Sequence, residues 1–159
     1  MVTRLAPEAR TLIATAEQEA RSTRSPYVEA EHLLLAMSSA PVTDAGQVLA
    51  SVGLTRDAVE HALDQEFAAS LAAAGVSVAG DGPAPAAGVG SARRLRLGAS
   101  FKAALERSVV AASGSRQIRP THLLLGVLGA QVGTVPRALQ LAGVDQAELA
   151  TLTRESLAG

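Results

Sequence analysis

Val28-Glu29-Ala30-Glu31-His32-Leu33-Leu34-Leu35-Ala36-Met37 returns 90 positions later as Ile118-Arg119-Pro120-Thr121-His122-Leu123-Leu124-Leu125-Gly126-Val127. The register then holds without a gap, Leu49 returning as Leu139 and Gly53 as Gly143. Self-similarity of this length, present only twice, reads as a duplicated helical unit rather than a long solenoid. Each copy carries an apolar face that it cannot bury alone, so the two copies are expected to pack together around a pseudo-twofold axis. The interface between such halves is a common place for a binding site.

Working outward, Leu5, Ala9, Leu12, Ile13, Ala16 and Ala20 recur at spacings of three and four, which predicts one helix. The stretch from Ser22 to Pro26 breaks it. A second helix is expected over about Ala30 to Ser39, with Pro41 stopping it. Thr43 or Asp44 caps a third, short helix that Gly53 closes. Thr55 caps a fourth, with Ala58, Val59, Ala62, Leu63 and Phe67 on its apolar side. The second copy repeats the order, from Leu97, Phe101, Ala104, Leu105, Ser108 and Ala112 to a break at Gly114. Pro120 suits a first helical turn, Pro136 opens the next helix, Gly143 closes it and Asp145 caps the last.

The expected fold is therefore all-α: eight helices in two four-helix repeats forming one domain over residues 1–159. Repeat one spans 1–71 and repeat two 93–159. Residues 72–92, rich in Gly, Ala and Pro, read as a flexible surface linker.

Composition removes several function classes. Of 159 residues, 48% are hydrophobic, enough for a core and far from the disordered class. The formal net charge of −1 gives no electrostatic case for nucleic acid, and Tyr27, Phe67 and Phe101 are too few for base stacking. The run Arg93-Arg94-Leu95-Arg96 reads as solvated surface before a helix. No cysteine is present, so thiol chemistry and thiolate metal sites are excluded. No signal peptide and no apolar stretch of about 18 residues is visible, so a cytoplasmic protein without a membrane span is expected. His32 and His122 are related by the repeat, but without a second ligand at metal spacing they are expected to bond to backbone across the core. No Gly-x-Ser-x-Gly elbow and no phosphate-cradling Gly-x-x-x-x-Gly-Lys loop occurs, so neither hydrolysis nor nucleotide binding is expected. No cofactor or metal is expected.

The doubled core resembles the N-terminal domain of the Clp/Hsp100 unfoldases, particularly the ClpC type. That family's pattern is a phenylalanine-threonine start, an Ala-rich helix and an Ile-Gly-Thr-Glu-His-Ile-Leu-Leu-Gly-Leu core, followed by a short helix ending in Leu-Gly. Here the last step reads Val52-Gly53 and Ala142-Gly143. The resemblance implies a non-catalytic module that recruits substrates and adaptors for an attached ATPase. In some members it binds phosphoarginine, and related domains bind cyclic peptide antibiotics. A free-standing adaptor, decoy or sequestering protein is the alternative. By the same resemblance, a groove between the halves would be lined by Thr3, Leu5, Ala6, Glu31, Leu97 and Thr121.

The departures bear on that site. The family's glutamate before the histidine is Glu31 in repeat one but Thr121 in repeat two. A planar guanidinium is best held by a bidentate acceptor, so only the first half keeps the carboxylate that phosphoarginine needs. The family's threonine is replaced by Ala6 and Gly98, which removes a hydroxyl from the phosphate side, and its phenylalanine by Leu5 and Leu97. Glu31 has a second reading, as a first-turn carboxylate stabilised by the helix dipole by about 0.3–1 kcal/mol.

Overall fold

The computed structural model describes residues 4–75 and 95–159. Repeat one contains β1 (Arg4–Leu5), α1 (Pro7–Ser22), β2 (Tyr27–Val28), α2 (Ala30–Ser38), α3 (Asp44–Ser51) and α4 (Arg56–Ala73). Repeat two contains β3 (Arg96–Leu97), α5 (Ala99–Ala111), β4 (Gln117–Ile118), α6 (Pro120–Leu128), α7 (Thr134–Leu141) and α8 (Gln146–Ala158). Thr3 and most of the stretch 72–92 lie outside the described residues, and α4 continues through Ala73.

The caps form where the sequence places them. Thr43 Oγ1 accepts the Gly46 N–H at 3.0 Å, and Thr55 Oγ1 accepts that of Ala58 at 3.3 Å. Asp145 Oδ1 accepts from Ala147 and Glu148 at 2.9 and 3.1 Å. Gly53 and Gly143 close α3 and α7 at φ +79° and +73°, a region that only glycine enters without steric cost. α7 begins at Thr134, two residues before Pro136. Proline is tolerated there because first-turn N–H groups have no partner within the helix. His32 and His122 do bond to backbone, but not across the core. Each Nδ1 accepts the N–H of the residue just before its own helix, Glu29 or Arg119, at 2.9 Å. A histidine three positions into the helix reaches back that far and no farther.

The four strands are a feature the periodicity does not carry, because two residues are too few to alternate. They interlock the repeats. β1 runs parallel to β4, with Leu5 opposite Ile118, and β2 runs parallel to β3, with Val28 opposite Leu97. The Ala6 N–H donates to Ile118 O at 2.9 Å, and in the related place the Gly98 N–H donates to Val28 O at 2.8 Å. Each repeat's entry strand is thus hydrogen-bonded to the other repeat. Farther along, α4 packs on α7 and α3 on α8, again across the halves.

The core forms around α2 and α6. Leu33, Leu34, Leu123 and Leu124 are buried there, with Ala9, Leu12, Ala16 and Ala20 from α1 and Phe101 and Ala104 from α5. Gly126 lets α6 approach α5 closely: a Cβ would lie 2.2 Å from both Ala104 O and Ser108 Oγ. The apolar side expected for α4 is corrected at one position. Phe67 is 60% exposed, and Glu66 points inward instead. α4 turns toward α7, where Arg137 Nε donates to Glu66 Oε1 at 2.9 Å, so the polar pair takes the inner face and the ring is left in solvent.

Candidate functional site

The interlocked strands create two junctions related by the repeat. At each, the start of one repeat's second helix meets the start of the other repeat's first helix. The start of a third helix completes the wall. The first junction joins α2, α5 and α7. The second joins α6, α1 and α3.

At the first junction a pocket opens between the repeats, lined by Glu29, Glu31, Ser100, Thr134, Val135 and Arg137 among others. Glu29 immediately precedes α2, and its carboxylate turns toward the start of α5. There Ser100 Oγ accepts the Ala30 N–H at 2.9 Å and donates to Glu29. Gly98 makes room for this arrangement, since a Cβ at that position would lie 1.8 Å from Glu29 Oε1. Arg137 stands on the opposite wall, tied by Nε to the buried Glu66.

Glu31 lies between these groups, half-buried and with no ion pair among the described residues. Burial pushes its carboxyl above the ordinary 4.5. The bond from its own backbone N–H opposes that shift, while the Glu29 and Glu66 charges add to it. Glu29, Glu31 and Arg137 thus line one pocket, and the guanidinium is already engaged by Glu66.

The second junction has the same backbone and different chemistry. Arg119 replaces Glu29, Thr121 replaces Glu31, and Asp44 replaces Thr134. Arg119 Nη2 lies 2.6 Å from Asp44 Oδ2, and Thr121 Oγ1 donates to the same oxygen at 3.3 Å. The acid here has its cation within the chain, and Thr121 is fully buried. Burial lowers both histidines below their ordinary 6.5, so each stays a neutral acceptor for its helix start.

Of the residues expected to share one groove, Glu31 lines the first pocket. Leu97 is near that junction through its pairing with Val28, but it does not line the pocket. Leu5, Ala6 and Thr121 belong to the second junction, where Ala6 is buried. Thr3 lies outside the described residues. The sequence does not mark Glu29, Asp44, Ser100, Arg119, Thr134 or Arg137 as site residues, and Asp44 enters there only as a helix cap. The signal for the first pair of differences was present, as a charge reversal from Glu29 to Arg119 inside an otherwise matched repeat. Nothing in the sequence pointed from Glu66 to Arg137, 71 positions away.

Among the described residues no group of three His, Asp or Glu side chains could hold a metal ion. No described helix is long and apolar enough to cross a membrane.

The model of the Clp repeat (R) N-terminal domain matches residues 4–115. The crystal structure of the N-terminal domain of the caseinolytic protease associated chaperone ClpD from Arabidopsis thaliana is similar over 100% of this chain and 98% of its own, at 18% identity and a TM-score of 0.67. That of the Hsp104 N-terminal domain from Candida albicans is similar over 94% of this chain and 89% of its own, at 14% identity and a TM-score of 0.65. At these identities the likeness concerns the fold alone. No curated protein matches the chain.

Proposed function

The chain belongs to the Clp repeat N-terminal domain family, and from that premise we propose that it is a non-catalytic binding module of a Clp unfoldase system. Its role is to receive a cationic side chain of a substrate or adaptor polypeptide at the Glu31 pocket. The observation that carries this is the contrast between the junctions. Repeat two satisfies its acid with its own Arg119, whereas repeat one presents Glu29 and Glu31 with no cation to spare among the described residues. Burial and like charges raise the Glu31 carboxyl, and an incoming guanidinium would reverse that cost.

Arginine is the better ligand than lysine. Its planar fork offers five donors and is weakly hydrated, so two carboxylates can share it at moderate desolvation cost. Phosphoarginine is a special case that also uses the rest of the pocket. The Ser100 and Thr134 hydroxyls and the outer face of Arg137 lie on the walls beyond Glu31, and they would take over the phosphate contact for which Ala6 and Gly98 have no hydroxyl. The expectation for cyclic peptide antibiotics came from the family resemblance, and Leu5 and Leu97 in place of the family's phenylalanines weaken it. Neither lines this pocket, so it is not part of the proposal.

An NMR titration of the labelled chain with phosphoarginine, and separately with arginine amide, tests the reading. Saturable shifts are expected at Glu31, Ser100 and Thr134, absent in Glu31→Gln, with Thr121 unmoved. No saturable shift with either ligand would remove the cation-recognition role.

A further inference from the structure

A second pair of related surfaces lies on the outer side of the repeats, away from both junctions. In repeat two, α5, α6 and α8 enclose a shallow groove lined by Arg107, Val110, Ala111, Leu125, Arg154 and Leu157. Its floor is apolar, and Val110 is 74% exposed. Arg107 is held rigidly over it. Its Nε donates to Gly126 O at 2.7 Å, and its stem crosses so close to Gly129 that a Cβ there would lie 2.5 Å from Cδ. Neither Arg107 nor Arg154 has a carboxylate partner among the described residues.

The related surface of repeat one has the opposite character. Arg154 corresponds to Asp64, and Leu157 to Phe67. Both Asp64 and Phe67 are exposed, three residues apart on α4, so they share one helix face. Where repeat two offers a basic-edged apolar groove, repeat one offers an aromatic ring beside an acid. Phe67 is the most exposed aromatic among the described residues, at 60% against 43% for Tyr27.

We infer that these two surfaces are complementary to each other, and that the partner is a second copy of this chain. Phe67 of one copy enters the groove over Val110, Leu125 and Leu157 of the next, and Asp64 faces Arg154. The contact joins two different surfaces, so it is head-to-tail. Each added copy leaves one groove and one Phe67 free, and the contact does not close on a dimer by symmetry. The area is that of one side chain and its rim, which makes the association weak and dependent on concentration. The inference uses none of the Glu31 pocket and stands independently of the reading given to it.

Sedimentation velocity on the full 159-residue chain over a concentration series is the test. The weight-average mass of the unmodified chain should rise with concentration. Phe67→Ser and Arg154→Glu, both at exposed positions and checked by circular dichroism for an unchanged fold, should each stay at the monomer mass. Mixing the two variants should raise the mass again, because one keeps the groove and the other keeps the ring. Reciprocal exchange of the charges, Asp64→Arg with Arg154→Asp, should restore self-association within one chain. A monomeric unmodified chain at every concentration overturns the inference. So does a Phe67→Ser variant that associates like the parent, or a mixture that stays monomeric.

Discussion

The two helix-start junctions share a backbone and differ in who supplies the cation. At the second, Asp44 is met by Arg119 of the same chain, 2.6 Å away, and Thr121 adds a hydrogen bond. At the first, Thr134 stands in the place of Asp44, Glu29 in that of Arg119 and Glu31 in that of Thr121. Negative charge has moved from one wall to the other, and among the described residues Glu29 and Glu31 have no ion-pair partner. The lesson is that a duplicated fold keeps its cavity geometry for free, because the strand ladders and helix starts are set by backbone. Three side chains then decide whether a junction is sealed or open. A chain that satisfies an ion pair internally has no use for a ligand there.

The comparison breaks most severely at the helix contacts that hold the junctions in place. Gly126 corresponds to Ala36, and only the second repeat has helices close enough to need glycine. Gly126→Val should cost about 3 kcal/mol by overpacking against Ala104 and Ser108. The reverse kind of change, Ala36→Gly, should cost about 1 kcal/mol through backbone entropy. Urea denaturation reads both, and equal losses would mean that the two repeats pack alike.

Next come the ion pairs. Among the described residues, Arg137→Met leaves the buried Glu66 with only Ser70 as a side-chain partner, and about 1–2 kcal/mol is expected for an under-satisfied buried acceptor. Asp44→Asn, in the more exposed pair with Arg119, should cost no more than about 1 kcal/mol. A loss at Asp44 larger than that at Arg137 would mean that the more exposed pair is the stronger, against the burial of Glu66.

The smallest effect has the opposite sign. The folded-state pKa of Glu31 is raised above 4.5, so the folded chain binds that proton more tightly than the unfolded chain. This contribution to stability is complete below about pH 4.5 and is lost as pH rises through the folded-state value. Glu31→Gln, which never ionises, should therefore be more stable than the parent at neutral pH, and the gain should vanish in acid. Thermal melts across that range decide it. Thr121→Val at the other junction should show no such pH-dependent gain. A Glu31→Gln chain less stable than its parent at neutral pH would mean that Glu31 has a partner after all.

Much of the molecule was legible from local chemistry. The stripes from Ala9 to Ala20 and from Phe101 to Ala112 are buried, and Thr43, Thr55 and Asp145 cap the helices they precede. These features depend on residues three or four apart, within reach of periodicity. Phe67 was misread because its stripe on α4 is apolar by count, while the face that packs is chosen by Arg137 on another repeat. Leu5, Ala6, Glu31, Leu97 and Thr121 were expected together, but strand exchange sends them to two junctions.

The sequence by itself determined the doubled unit, the eight helices with their caps and glycine stops, and the family resemblance carried by the two cores. All of these are written in short-range patterns and in their repetition. Tertiary structure alone decided which ends meet. The parallel pairing of β1 with β4 and of β2 with β3 uses only a few backbone bonds between segments too short to show a pattern. Those bonds bring Glu29, Glu31, Ser100 and Arg137 to one junction and seal Asp44 with Arg119 at the other. Which carboxylate keeps its own cation is a long-range fact, because charges separated by some 75 positions meet only after the halves have exchanged their strands.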